Sequence, residues 1–488
     1  MKTLLIRSFF SVEKFYFPRF INEPLGLEYL AAYLGNNHQV EILDAVAHGW
    51  NKYWLVEKNQ ETIYQGLNLK EIIKRVNQYQ PEVVGVTWLF SAQNDCVNET
   101  IKAIKQTNEK IVTVVGGSHP STNSKQILED NPYLDIVVFG EGEITFKELL
   151  DKKIKDLESI QGIAFRQNGQ IKINPPRPLI EDLDQLPPPA RNLVPYQNYA
   201  KQNLYAFIYN RLKKWGFNSQ KNKNLISKFS SFPFLEKFYY QLHNQKRKND
   251  LLPKADIISS RGCPNHCTFC AIHNIWQHRC RVRSAENVLQ EIDWLVNNYN
   301  IRHINFEDDN FNISKERTIK ICQGLIKRKY NLTLLAAAGA FVPTLDKEVL
   351  TWLKKAGMNY LRMSIESGNQ EVLYKIIKKR INLKQIKPIT QICKKLGIKT
   401  EGAFIFGIPG ETIQTMQDTL NFARRMKFDR IKKFIFQPFP NTELYDICIK
   451  NNYLTKDYNS RKIYMTGNKC YVKTKEFSPE DVIKIARS

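Results

Sequence analysis

The 488-residue sequence reads as an α/β chain: an N-terminal doubly wound parallel sheet of the Rossmann/flavodoxin-like kind, followed by a partial (β/α)6 TIM-type barrel. Three observations predict this. Apolar, strand-like runs alternate with amphipathic segments over residues 1 to 150, the pattern of a parallel sheet covered by helices. The alternation returns from Ala255 to Gln437 as six strand–helix units. The first of these units leads into Cys263-Pro264-Asn265-His266-Cys267-Thr268-Phe269-Cys270, and barrels keep their chemistry at the C-terminal ends of their strands.

In the first region, domain 1–174, strands are expected at Thr3–Ile6, Val40–Leu43, Val83–Thr87, Ile111–Val115 and Ile136–Phe139. Leu25–Leu34 and Leu69–Tyr79 have helical apolar spacing. Such sheets bind ligands outside the C-terminal ends of their strands, at a topological switch point. Gly116-Gly117-Ser118-His119-Pro120 and Gly140-Glu141-Gly142-Glu143 each follow a strand, and glycines there allow close approach of a large ligand. Asn168-Gly169 marks a hairpin turn.

Prolines 175, 176, 178, 187, 188, 189 and 195 stiffen a linker over 175–200. Residues 201–250 interleave Tyr205, Trp215, Phe234 and Tyr239 with basic side chains, without strand–helix alternation. They read either as an insertion packed on the barrel or as a lid that selects the substrate. The barrel follows over 251–444, with strands expected at Ile257–Ser259, Ile304–Phe306, Leu334–Ala337, Tyr360–Ile365, Thr400–Phe406 and Ile431–Phe436. Helices are expected at Ala285–Tyr299 and Leu383–Leu396, and residues 445–488 form a mixed extension.

Composition narrows the function classes. Nine scattered cysteines argue against a secreted disulfide framework. Met1–Arg7 reads as a strand rather than a signal peptide, and no apolar run approaches a membrane span, so a cytoplasmic location is expected. The net charge of +24 is spread along the chain, which suits a solvated basic surface and predicts no nucleic-acid partner.

Three cysteines at CxxxCxxC spacing, Cys263, Cys267 and Cys270, can bind three irons of one cubane cluster and leave the fourth without a protein ligand. A zinc site completed by His266 or His273, or buried thiols, is the alternative. After the second barrel strand, Glu307-Asp308-Asp309-Asn310 reads as carboxylates facing a cation or hydroxyl-rich group, or as helix capping by Asp309 or Asn310. Ser364 and Glu366 share a strand face, where a hydroxyl and a carboxylate can grip a ribose diol or an ammonium group. Gly402-Ala403-Phe404-Ile405-Phe406-Gly407-Ile408-Pro409-Gly410-Glu411 is a glycine-punctuated strand end.

The cysteine motif, with Phe269 in the aromatic slot, resembles that of the radical SAM superfamily, and the later strand ends follow in that family's order. The resemblance implies a 4Fe–4S cluster on Cys263, Cys267 and Cys270 whose open iron binds S-adenosylmethionine (SAM) and yields a 5′-deoxyadenosyl radical. It implies SAM contacts at Ser364 and Glu366, and at Gly407 and Pro409 behind the adenine. Pro24–Leu34, Leu43-Asp44-Ala45 and the two glycine loops resemble the cobalamin-binding domain fused to one branch of that superfamily. Gly116, Gly117, Gly140 and Gly142 would then line cobalamin.

No Asp-x-His-x-x-Gly is present, since Asp44 and His48 have the wrong spacing, so cobalamin is expected to bind without a lower histidine ligand. His119 reads as a loop histidine bonded to backbone, with cobalt ligation as the alternative. The implied activity is methyl transfer to an unactivated carbon of a small or lipid-like substrate, served by a flavodoxin- or ferredoxin-type reductant, with at most peripheral membrane contact. The alternatives are a cyclase or rearrangement enzyme of the same architecture and an RNA-modifying enzyme.

Overall fold

The structure, a computed structural model, describes residues 1–13, 20–56, 59–203, 254–460 and 469–488. The substrate-selecting segment expected at 201–250 lies outside the described residues from 204 onward. Two compact units are present: one from the described residues of Met1–Leu179 and Leu186–Lys254, the other from Ile180–Gln185 and Ala255–Ser488.

The first unit runs β1 (Lys2–Arg7), β2 (Phe10–Glu13), α1 (Leu25–Leu34), β3 (Gln39–Asp44), α2 (Ala45–His48), β4 (Tyr53–Val56), β5 (Asn59–Gln65) and α3 (Leu69–Tyr79). It continues with β6 (Val83–Thr87), α4 (Asn94–Thr107), β7 (Val112–Gly116), α5 (Ser118–Asp130), β8 (Ile136–Val138), α6 (Gly142–Asp151), β9 (Ile163–Gln167) and β10 (Gln170–Ile173). The main sheet has the order β10-β9-β8-β7-β6-β1-β3, with β3, β1, β6, β7 and β8 parallel. The chain reverses its winding between β1 and β6, the switch point of a flavodoxin-like order.

Period-two alternation splits the core. Leu4 and Ile6 of β1 pack with α3 and α4 residues such as Ile72, Val76, Ile101 and Ile104 on one face. Leu5 packs with Leu27, Ala31, Phe146 and Leu149 of α1 and α6 on the other. Each such fully buried leucine or isoleucine contributes on the order of 1.5–3 kcal/mol. Helix α3 starts at Asn68 through a reciprocal capping box with Glu71, both bonds 3.0 Å.

The hairpin turn falls at Asn168 and Gly169, with φ of 51° and 77°; β9 joins the sheet antiparallel to β8 and β10 pairs antiparallel with β9 at the edge. The sequence reading missed a second, antiparallel sheet, β2-β5-β4. β4 and β5 are neighbours in the chain, but β2 comes from about fifty residues earlier, and the sheet is fastened by Trp54 and Tyr64, whose rings lie 5.3 and 5.0 Å from that of Phe9.

The second unit contains β11 (Lys254–Ile257), β12 (Ser260–Arg261), α7 (His273–Trp276), β13 (Arg281–Val282), α8 (Ala285–Tyr299), β14 (His303–Phe306), α9 (Lys315–Arg328), β15 (Thr333–Ala336) and α10 (Lys347–Lys355). Next come β16 (Tyr360–Glu366), a π-helical turn (Val372–Ile377), α11 (Ile386–Leu396), β17 (Lys399–Phe406), α12 (Ile413–Arg425), β18 (Arg430–Ile435), α13 (Glu443–Lys450) and α14 (Pro479–Arg487). Sheets β11-β14-β15 and β16-β17-β18 are linked by parallel bridges Leu334–Met358 and Ala340–Met363, which makes an arc of the six expected strands.

Two expectations shift. The first barrel strand is Lys254–Ile257, because Ser259 is drawn out of the sheet by Asp308. The helix expected from Leu383 begins at Ile386, after a 3-10 turn. Within the C-terminal extension, α14 packs Val482 so tightly on Gly407 that a Cβ there would lie 2.8 Å from the valine. Among the described residues no helix is long and apolar enough to cross a membrane.

Candidate active site

The cysteine loop leaves β11 and is held from beneath by the end of β14. Asp308 accepts hydrogen bonds from the backbone N–H of Ser259 (2.5 Å) and Ser260 (3.1 Å) and from the Ser259 hydroxyl. Asp309 accepts from Gly262 N–H at 3.0 Å. Arg317 of α9 donates to the Ser259 carbonyl at 2.8 Å. Gly262 has φ of 90°, and a Cβ there would lie 1.9 Å from the Arg279 carbonyl oxygen, so glycine is required. Asp309 does not cap the helix that follows, contrary to the capping reading; α9 is capped by Ser314. Burial raises the pKa of both aspartates, that of Asp309 to about 6.

The far side of the loop is tied to the π-helical turn. Thr268 donates from its N–H to the Ile377 carbonyl (3.0 Å) and from its hydroxyl to the Ile376 carbonyl (2.8 Å). π-helical turns concentrate at functional sites, and nothing in residue spacing announces this one.

Cys267 is buried, while Cys263 and Cys270 are half-buried. Burial pushes the Cys267 thiol up to about 12 and that of Cys270 to about 11, and both feel the charge of Cys263. The nearest counter-charge is Lys379, which acts on Cys267 and Cys263 and donates to the Ser364 carbonyl (2.6 Å) and the Glu366 carboxylate (2.8 Å). Burial alone would lower the Lys379 pKa, but Glu366 and the cysteines more than reverse this. Lys379 escaped the sequence reading because it sits in a basic run, Lys378-Lys379-Arg380.

Among the described residues, no three His, Cys, Asp or Glu side chains converge as ligands of one metal ion would. His266 and His273 do not complete a Cys3His set. Their rings sandwich His278, with centroids 4.0 and 3.9 Å away and planes within 20°. Cys280 lies within charge range of Cys263 and Asp309, and burial raises its pKa to about 11.

Ser364 and Glu366 were expected on one face. A bulge falls between them and Glu366 has φ of 73°, so the simple alternation is broken there. Ser364 Oγ donates to the Ala338 carbonyl at 3.0 Å. Gly407 has φ of 80° and opens a turn through Ile408 and Pro409 to Gly410, where a Cβ would lie 3.1 Å from Ile376. The π-helical turn therefore touches both the cysteine loop and this turn.

Glu411 closes the turn: its carboxylate accepts from Ile408 N–H at 2.9 Å, while its other oxygen is buried with no hydrogen-bond partner among the described residues. Burial raises its pKa from 4.5 to about 8. The folded state then holds a proton that the unfolded state releases, so this contribution to stability is complete below about pH 4.5 and is lost as pH rises to about 8. Glu411→Gln is expected to flatten the pH dependence of stability across that window. Hydrogen exchange of the peptides around Gly407–Glu411, corrected for intrinsic rates and measured from pH 4.5 to 8.5, checks this; parallel pH dependence in variant and wild type would refute it.

In the first unit the four glycines divide. A Cβ on Gly117 would lie 2.6 Å from the Trp88 carbonyl oxygen, and one on Gly142 would lie 3.2 Å from Leu30, so both answer to packing. Gly116 makes only ordinary contacts, and Gly140, with φ of 76°, faces open space. These two fit a backbone that a large ligand approaches. His119 is in the first turn of α5 rather than a loop; its ring packs on Trp88 (4.8 Å) and lies 3.4 Å from Asn123 Nδ2, not against backbone. Burial lowers its pKa to about 4, so it is neutral. Asp44 is fully buried, with its carboxylate on Arg7, Tyr199 and the first amides of α2. His48 Nδ1 pairs with the Asp44 carbonyl at 2.9 Å.

A flavodoxin-like sheet unit followed by a six-stranded arc with a three-cysteine loop after its first strand defines a class of two-unit α/β chain with a candidate site in each unit. The radical SAM superfamily matches residues 257–423 and the B12 binding domain matches residues 18–150. The chain is 30% identical over 466 residues to an uncharacterised methyltransferase of Pyrococcus horikoshii, covering 95% of this chain and 86% of that protein. It is 29% identical over 442 residues to the cytidylyl-2-hydroxyethylphosphonate methyltransferase of Streptomyces wedmorensis, covering 88% of this chain and 78% of that one. The solved structure of TsrM, a radical SAM methyltransferase from Kitasatospora setae with cobalamin and a 4Fe–4S cluster bound, superposes with a TM-score of 0.65 at 16% identity, over 93% of this chain and 76% of that one. The chain belongs to the radical SAM superfamily, in the cobalamin-dependent methyltransferase family that joins a B12-binding domain to the radical SAM domain. It is a radical SAM enzyme, and the cofactors of its family are a 4Fe–4S cluster, SAM and cobalamin.

Proposed function

We propose that this chain transfers a methyl group to an unactivated carbon of a small-molecule or lipid-like substrate, with electrons from a flavodoxin- or ferredoxin-type reductant. One observation carries the reading: three thiols with a shared field, on a loop braced by Asp308, Asp309 and Thr268, stand beside the buried Lys379–Glu366 pair. When bound, the cluster and SAM supply radical hydrogen abstraction, and cobalamin supplies the methyl group.

The roles of the residues follow from their surroundings. Cys263, Cys267 and Cys270 hold the cluster, with Lys379 offsetting the charge gathered there. Ser364 and Glu366 bind SAM beside it, and Gly407 and Pro409 back its adenine. Gly116 and Gly140 admit cobalamin; Gly117 and Gly142 set the shape of the same loops. His119 stays on Trp88, so cobalamin binds without a lower histidine.

The test is anaerobic reconstitution with iron, sulfide and cobalamin, then incubation with SAM and reductant. 5′-Deoxyadenosine together with S-adenosylhomocysteine is expected. Absence of 5′-deoxyadenosine would overturn the radical reading. 5′-Deoxyadenosine alone, with no methylated product, would favour the cyclisation alternative.

A further inference from the structure

The inner face of β16–β18 carries more positive charge than its own carboxylate answers. Register places Arg362 of β16 beside Glu401 of β17, and Glu401 beside Arg430 of β18. Lys432, two residues on, points to the same side as Arg430. Lys433 points the other way, toward Arg424 of α12, which alone acts on it electrostatically. The fully buried Glu401 is already saturated: Arg362 Nε donates to it at 2.6 Å, the Tyr360 hydroxyl at 2.5 Å, and Arg430 Nε lies at 3.3 Å. That leaves three cations to one carboxylate.

Lys432 is the unanswered one. Among the described residues it has no carboxylate within ion-pair distance, and its ammonium rests 4.8 Å from the centroid of the Phe434 ring. Burial and the neighbouring Arg362 and Arg430 depress its pKa, with Glu401 only partly offsetting them. A half-buried ammonium in the field of two guanidiniums one row away is costly to keep unless an anion visits it. The opposite wall of the arc has the other sign: Asp256 of β11 and Glu307 after β14 share the Asn305 amide, at 2.7 and 2.5 Å.

We infer that Lys432, flanked by Arg362 and Arg430, binds an oxyanion of the substrate (a phosphate, phosphonate or carboxylate group) on the inner face of the arc. This rests on the radical SAM reading of the unit. Lys432 is level with Ala403 and Ser364, so the anion lies about 10 Å across the sheet from the serine assigned to SAM, two strand spacings away. That interval suits a small molecule anchored at its charged end with a carbon presented toward SAM. Lysine supplies a point charge here, and the guanidiniums supply directional donors.

The experiment uses the full-length reconstituted protein with methylphosphonate as probe, titrated and read by 31P NMR. Wild type is expected to bind saturably, more weakly at high salt. K432Q is expected to weaken binding about tenfold or more, as loss of a charge-assisted contact does. K433Q, on the outer face of the same strand, is expected to match wild type. SAM affinity by equilibrium dialysis is expected to be the same in K432Q and wild type. Non-saturable binding, equal weakening by K433Q, or a parallel loss of SAM affinity in K432Q would each overturn the assignment, the last by giving Lys432 to the SAM carboxylate. Failure of wild type to cleave SAM would instead overturn the radical SAM reading and leave the probe result standing.

Discussion

Replacing Cys263, Cys267 or Cys270 singly by alanine is expected to reduce both cluster absorbance and SAM cleavage to background. The cluster has three protein ligands in this assignment, so each thiolate carries a third of its attachment. The loop itself survives the change. Its position depends on Asp308, Asp309, Gly262 and Thr268, none of which bonds through the cysteine side chains. The loss is therefore chemical rather than structural, and circular dichroism of the variants is expected to match wild type. Cys280→Ala is the control. Although that thiol lies within charge range of Cys263, it sits beyond the loop next to β13, and its variant is expected to keep full iron and sulfide. Iron and sulfide analysis decides the matter: a triple variant that retains its full content would sink the assignment.

Periodicity made most of the architecture legible. Leu25–Leu34, Leu69–Tyr79 and Ala285–Tyr299 fall where the apolar spacing puts them because each buries one face, and Val83–Thr87 does so as a short apolar run buried on both. The cysteine motif was legible because ligand spacing within one loop is a local property. What escaped was non-local. Asp308 and Asp309 bond amides almost fifty residues earlier in the chain, whereas the sequence rule for such residues concerns the helix that follows. Glu366 keeps the strand-like composition of its neighbours, so the bulge that re-aims it leaves no mark in residue type. Lys379 is one basic residue among three in the sequence, and only folding singles it out by burying it against Glu366. Gly117 and Gly142 were visible as glycines, but a glycine that admits a ligand and one that admits a backbone or a leucine look the same in one dimension.

Asp44→Ala is expected to destabilise the first unit by about 3–5 kcal/mol, the usual cost of stranding one member of a buried ion pair. Asp44 ends β3 with no solvent exposure. One carboxylate oxygen accepts from Arg7 Nε at 2.8 Å, Val46 N–H at 3.0 Å and Ala47 N–H at 3.1 Å. The other accepts from the Tyr199 hydroxyl at 2.7 Å and from Arg7 Nη2. A single side chain thus caps α2, pairs the arginine at the end of β1 and fixes a tyrosine that follows the proline-rich stretch. Among the described residues, removing it leaves the Arg7 guanidinium the Asn22 carbonyl, 2.6 Å away, a tyrosine ring whose centroid is 5.9 Å distant and the field of Glu28. The lost cap alone costs about 1 kcal/mol, and the terms share donors, so they do not sum. Because a two-unit chain does not unfold in one step, the measurement is hydrogen exchange of β1 and β3 peptides, which reads opening of that sheet directly. Asp44→Asn is expected to cost less than Asp44→Ala, since its amide oxygen still accepts from α2. An Arg7→Met/Asp44→Leu pair is expected to recover part of the loss, because it removes both buried charges together. Protection in Asp44→Ala within about 1 kcal/mol of wild type would show that this carboxylate is not what holds the ends of β1 and β3 together.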